Sequence, residues 1–287
     1  MFAIFKKELK SYFGSLFGYL FLALHLLFSG VLVTLMHLLS ALTDYSMTLV
    51  PMQWVLLILI PFLSMRSIAQ ERHNRTDLLL YSLPLRLSDV VLGKFLAQAA
   101  LLLLALLPLA VYPVILATMG GMDLAAAYVA LLGYALMALA MIALCTLLSS
   151  LFESQVVAAI VSIASLLALY FLSSLLVLLP TAPLFSFVVC LLVAAGVGAL
   201  MWRATKNVAL GLSLAAILIT AASVTFIVAQ SVFDNLVARF LNAINLFTRL
   251  GGFTYGRLDL PATVFYLTFI GVFIFLTVQV MEKRRRA

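Results

Sequence analysis

SQVVAAIVSIASLLALYFLSSLLVLLPTAPLFSFVVCLLVAAGVGALMW, residues 154–202, runs for 49 residues without an Asp, Glu, Lys or Arg. A helix needs roughly 20 apolar residues to cross ~30 Å of hydrocarbon. The stretch is too long for one crossing and long enough for two. Pro180-Thr181-Ala182-Pro183 sits in its middle. Two prolines three apart break a helix and favour a turn. The stretch therefore reads as two spans, 156–179 and 184–202. Six more charge-free windows lie on either side, at 11–43, 45–65, 95–122, 124–152, 207–233 and 260–281. Eight spans are predicted.

Composition agrees. Of 287 residues, 66% are apolar and 9% charged, with a mean hydropathy of +1.25. Soluble domains sit near 45–50% apolar and about 25% charged. This chain has too few polar residues to cover a water-facing surface, which excludes a soluble enzyme, a disordered chain and a secreted disulfide scaffold. The two cysteines, Cys145 and Cys190, lie in apolar runs and offer neither a disulfide framework nor a zinc site. The expected fold is all-α: one polytopic membrane domain over 1–287, with about eight transmembrane helices.

The basic residues orient it. With eight spans both termini share a side. Placing that side in the cytoplasm puts 14 of the 17 Lys and Arg there, leaving only Arg239, Arg249 and Arg257 outside. That split follows the positive-inside rule. No cleavable signal pattern is expected, because the first apolar run is too long for one.

Three segments lie between the spans. Residues 1–16 place Phe2, Phe5, Leu9, Tyr12, Phe13 and Leu16 on one helical stripe, with Lys6, Lys7 and Lys10 on another and Glu8 among them. This reads as an amphipathic elbow helix in the headgroup plane, or as a basic flank anchoring the first span. Gly14 and Gly18 allow a bend, or close packing on a neighbouring helix. Residues 66–94 form the long cytoplasmic loop, with Glu71, Arg72, Arg75, Thr76 and Asp77 before the apolar run Leu78-Leu79-Leu80-Tyr81. Thr76 is expected to cap a short helix there, and Pro84 to end it. Such a helix docks a soluble partner or merely covers the bundle end. Residues 231–260 form the longest external segment, predicted as one amphipathic helix on Phe233, Leu236, Phe240, Ile244 and Phe247.

Much chemistry is missing. Every span midpoint lacks Asp, Glu, Lys and Arg, whereas ion-coupled carriers place such groups on their pathway. His25, inside the first span, is expected to be hydrogen-bonded packing. No metal-ligand spacing, no Gly-x-Ser-x-Gly elbow and no phosphate-binding Gly-x-x-x-x-Gly-Lys loop occurs. No cofactor, metal or catalytic residue is assigned, and ATP would have to be handled elsewhere. Pro61, Pro108 and Pro113 fall inside spans and suit either moving helices or ordinary membrane helices.

The chain resembles the permease subunits of type-two ABC exporters, and within them the gliding-motility-associated permeases. The likeness runs through Phe5-Lys6-Lys7-Glu8-Leu9-Lys10, Gly18-Tyr19, Glu71-Arg72, Thr76-Asp77-Leu78-Leu79, Leu83-Pro84, Val91-Leu92-Gly93-Lys94-Phe95 and the closing Gly256-Arg257-Leu258-Asp259-Leu260 to Glu282-Lys283-Arg284-Arg285. Arg75 stands where the family usually has glycine, and Asp77 is one place earlier than its usual glutamate. The usual plan has six spans, so 184–230 looks like an added helix pair.

The resemblance implies an inner-membrane exporter subunit that is not itself an enzyme. ATP and Mg would sit on a dimeric cytoplasmic ABC ATPase. That ATPase would dock on Glu71, Arg72, Arg75, Thr76, Asp77, Leu78, Leu79, Leu83 and Pro84. A second permease chain, identical or related, would complete the membrane unit, with membrane lipids around it. A periplasmic auxiliary subunit is compatible, and nucleic acid is not a partner. The competing reading is a non-transporting scaffold for assembling a surface or motility apparatus. A lipid enzyme or ion-coupled carrier fits least well.

Overall fold

The structure, a computed structural model, describes residues 1–76, 86–120, 122–180 and 182–286. Those residues are helical without strands, and eight of their helices are long and apolar enough to cross a membrane. The all-α polytopic expectation is met. An amphipathic helix α1 (Phe2–Phe13) precedes the first span, α2 (Leu16–Val33), which runs on through a π-helical turn, Thr34–Leu39. The second span is α3 (Ser46–Met65), followed by the short α4 (Ala69–His73). Then come α5 (Leu87–Met119), α6 (Leu124–Leu151), α7 (Gln155–Leu176), α8 (Pro183–Thr205) and α9 (Val208–Val228). Short pieces, including α10 (Leu236–Ile244) and α11 (Gly251–Thr254), lead to the last span, α12 (Leu260–Arg286).

The chain forms two compact units, Met1–Leu169 with Leu246–Ala287, and Tyr170–Asn245. In the first, α6 is the hub: α3, α5 and α12 all pack on it. Its core face carries small residues and packs tightly, with Ala138, Ala140, Ala143 and Cys145 fully buried. Asp123 begins α6 by accepting hydrogen bonds from the N–H groups of Ala125 and Ala126. Such a cap contributes about 1 kcal/mol. In the second unit, α8 and α9 form a hairpin through Lys206, which is left-handed at φ 55°, and Asn207, whose side chain caps α9. Phe187, Phe226 and Phe233 cluster there with ring centroids 4.4–5.8 Å apart.

Backbone groups freed by proline must be satisfied internally, because hydrocarbon offers no water. Pro113 has no N–H for the carbonyl of Leu109, four residues back. The Tyr45 hydroxyl supplies the missing donor at 2.7 Å. His37 closes the same region, contacting the Leu42 carbonyl through Nδ1 at 2.6 Å and the Thr48 hydroxyl through Nε2 at 2.9 Å. A carbonyl only accepts, so Nδ1 carries the proton.

Two expectations, at His25 and over 231–260, are corrected, and of the two readings of Gly18 the bend is the one found. His25 is fully buried, yet neither ring nitrogen has a hydrogen-bond partner among the described residues. It lies flat against Phe21, and the nearby Ser29 hydroxyl is already donated to the Leu26 carbonyl. Gly18 does not pack a neighbouring helix. It backs onto the end of α1, where a Cβ would stand 2.6 Å from the Tyr12 carbonyl oxygen, so it makes the elbow. The segment 231–260 is broken rather than one helix, with a 3-10 turn on either side of α10. Asn235, left-handed at φ 54°, interrupts the periodicity. Beyond it Leu246, Leu250 and Phe253 turn inward and are buried in the first unit, where Tyr266 donates to the Leu246 carbonyl at 2.7 Å.

Phe253 seats in a notch at Gly133 on α6. A Cβ there would lie 2.4 Å from the ring. Gly133→Ala should therefore cost about 1–3 kcal/mol, the usual penalty of overpacking. In thermal unfolding, Gly133→Ala added to Phe253→Ala should cost little more than Phe253→Ala alone, because the two share one contact.

Candidate functional site

The face of α5 turned to the core reads Leu87, Val90, Val91, Lys94, Gln98, Leu101, a helical stripe of buried positions with one lysine in it. Lys94 is 1% exposed. Its ammonium donates to the Glu8 carboxylate at 2.9 Å and to the Ser67 carbonyl at 2.7 Å, and lies 2.9 Å from the Glu71 carboxylate. An ammonium has three donors, and each has an acceptor here. Lys7 adds a weaker contact to Glu71 at 3.7 Å from an exposed position. An exposed pair of that kind contributes about 0–1 kcal/mol. The Lys94 pairs are another matter, because burying a charge costs several kcal/mol unless its partners are in place.

Three elements meet at this point. Glu8 comes from α1 and shares its inner face with Tyr12, one turn on. The buried Tyr12 phenol donates to the Leu63 carbonyl at 3.4 Å. Burial, with Glu8 nearby, pushes its ionisation well above the ordinary tyrosine value, so it remains a neutral donor. Glu71 comes from α4, and Lys94 from the second turn of α5. Below them Ile68, Leu87, Val91 and Met281 form a small apolar cluster.

The same segment is tied to α6. Ser149 Oγ accepts from the N–H groups of Ile68 and Ala69 and lies 3.4 Å from the Met65 carbonyl. Arg72 pairs with Glu153 at 2.6 Å and reaches the Ser150 carbonyl. Arg284, near the end of α12, donates to the Leu151 carbonyl at 2.8 Å. Arg66 lies over the Phe17 ring at 4.0 Å, bonded to Gln70 and Ser15.

The sequence-predicted residues divide accordingly. Glu71 and Arg72, expected on an outward docking face, are half-buried, Glu71 paired with the buried Lys94 and Arg72 with the exposed Glu153. Glu8, grouped with the elbow lysines, faces inward, while Lys6, Lys7 and Lys10 are exposed. Arg75 and Thr76 are exposed. Arg75 is left-handed at φ 55°, which accounts for a glycine being usual at this place in the resembled family. Thr76 closes a turn onto the Glu71 carbonyl through its N–H and its hydroxyl, and the helix it is expected to cap lies outside the described residues. Asp77, Leu78, Leu79, Leu83 and Pro84 lie outside the described residues. Lys94 was missed as a site residue. Reading charges as loop markers placed it at the edge of the 66–94 loop, although α5 begins at Leu87.

No group of three or more His, Cys, Asp or Glu residues that could hold a metal is found among the described residues. The described residues thus hold eight helices long and apolar enough to cross a membrane and a paired knot of charges joining α1, α4 and α5. The model of a family described as ABC-2 family transporter protein matches residues 46–189, half the chain, and the chain belongs to that family. It is the membrane permease subunit of an ABC transporter, a family whose membrane components work with an ABC ATPase subunit. No curated protein matches it. The matched residues include Glu71 and Lys94 but not Glu8, so the lysine's partners come from inside and outside the matched region.

Replacing Lys94 by Met should leave Glu8 and Glu71 as close, uncompensated carboxylates and cost about 3–5 kcal/mol, the usual effect of removing one partner of a buried pair. Adding Glu8→Gln and Glu71→Gln should restore most of the loss. Chemical unfolding of the detergent-solubilised protein would measure both, and equal stability of the single and triple variants would exclude the buried pairing.

Proposed function

We propose that this chain is the permease of an ATP-driven exporter in the cytoplasmic (inner) membrane. A separate ATPase dimer, binding ATP and Mg, docks on the segment that begins at Glu71. Two permease chains, identical or related, form the membrane unit. The observation that carries the reading is the Lys94 knot. It joins the docking segment to the elbow helix and, through Ser67, to the end of α3, while Ser149 and Arg72 join the same segment to α6. A push on residues 71–84 is passed directly to α1, α3, α5 and α6. A driven change must favour one arrangement of the spans over another, and this is where the push enters. The narrower likeness to gliding-motility-associated permeases draws on motifs near 5–19 and 253–285, outside the matched residues, and remains part of this proposal. Export, rather than import, rests on the same likeness.

The docking surface is best tested at Arg75, which is exposed, together with Asp77 at the start of the apolar run. In a reconstituted permease–ATPase complex, Arg75→Glu combined with Asp77→Lys should reduce permease-stimulated ATP hydrolysis several-fold, with unchanged thermal stability. Glu71→Gln should instead lower stability. Full ATP turnover with the double variant, or a transport-competent chain that binds no ATPase, would favour the scaffold reading.

A further inference from the structure

Between α2 and α3, at the end bearing the knot, lies a cavity of about 210 Å³. Leu20, Phe21 and Leu24 line one wall, and Leu59, Phe62 and Leu63 the other. Leu20 and Phe62 are themselves exposed, so the groove opens toward the hydrocarbon. Tyr12 and Arg66 close its end. Sites for whole small molecules are usually ~300–1,000 Å³ and carry a few converging polar groups along their walls. This groove is smaller, and its walls are wholly apolar. It suits part of one hydrocarbon chain.

The polar mouth is cationic. Arg66 follows directly on the last residue of α3, at the level of the elbow helix. The Phe17 ring and the Gln70 and Ser15 side chains fix its guanidinium. Two of its five N–H donors are used in these bonds; the others, including both on Nη2, have no partner among the described residues. The two carboxylates of the neighbouring knot, Glu8 and Glu71, are balanced by two lysines, Lys94 and, at 3.7 Å from Glu71, Lys7. On α1, Lys6 and Lys10 stand exposed as further cations. The mouth is therefore a fixed, uncompensated positive charge above an apolar slot. Arginine's planar fork matches phosphate oxygens.

We infer that this groove binds one acyl chain of an anionic phospholipid from the adjacent leaflet, with the lipid phosphate on Arg66. The site is independent of the ATPase docking proposed above. Charge complementarity selects the occupant: a zwitterionic lipid offers the same chain but brings a cation to the mouth, and a second copy of this chain would bring its own elbow lysines.

The test places photo-leucine at Leu24 of the full chain in bilayers of equal phosphatidylglycerol and phosphatidylcholine, with adducts identified by mass spectrometry. Phosphatidylglycerol adducts should exceed phosphatidylcholine adducts about five-fold, the factor one basic residue contributes at an anionic lipid surface. Arg66→Gln should bring the ratio close to one, while Arg66→Lys should keep most of it. Equal adducts in the unsubstituted chain would overturn the inference. So would a ratio unmoved by Arg66→Gln, or adducts joining two copies of the protein. If Arg66→Gln does not fold, the ratio in the unsubstituted chain and in Arg66→Lys still decides.

Discussion

An ammonium that has left water must find an acceptor for every proton, and the cation-bearing end of this permease is built around that requirement. Lys94 meets it with Glu8, Glu71 and the Ser67 carbonyl. Those three acceptors come from an N-terminal helix, a short connecting helix and the turn after a span, which nothing in the backbone alone would bring together. The charge is what holds them in register. Replacing a whole buried ion-pair cluster, all partners together, with apolar residues of similar volume is often neutral for stability. Its value here is therefore positional: the ion pairs fix where the elbow helix sits on α5.

Within the hydrocarbon the same rule applies to weaker groups. Ser64 donates to Gln98 at 2.7 Å, and Thr146 donates to the Ile142 carbonyl, so the polar side chains between α3, α5 and α6 are paired. Pro113 removes a backbone donor, and Tyr45 supplies one in its place. His25 is the departure, buried against Phe21 without a polar partner among the described residues. We have no physical account of why a histidine occupies that position.

Much of the fold was legible. Span number follows from hydropathy alone, because a charge-free run of roughly 20 residues has one stable placement in a bilayer, and the break at Pro180 and Pro183 follows from proline's missing donor. The site was less legible, for one reason. Counting charges as loop markers assumes that a charge avoids the interior, and Lys94 breaks the assumption by bringing its counter-ions with it. Its signal was present as one lysine on an otherwise apolar stripe, Leu87, Val90, Val91, Lys94, Leu101. Glu71 and Arg72 were misplaced by the converse error, since a charged loop residue was read as solvent-facing. The external segment failed because a helical stripe of aromatic residues carries no sign of the left-handed Asn235 that cuts it.

One helix is fastened at both extremities. At one, α6 is joined to α4 by Ser149 and Arg72 and to α12 by Arg284. At the other, Asp123 caps its first turn and Gly256 backs onto Ala126, where a Cβ would stand 2.7 Å from the Ala126 side chain; nearer the middle, Phe253 fills the notch at Gly133 and the Tyr134 hydroxyl reaches the Met52 carbonyl. A rod anchored at top and bottom has little freedom to flex along its length. Under the coupling proposed above, force delivered to it would travel as tilt, with α6 the fulcrum for α3, α5 and α12, which pack on it.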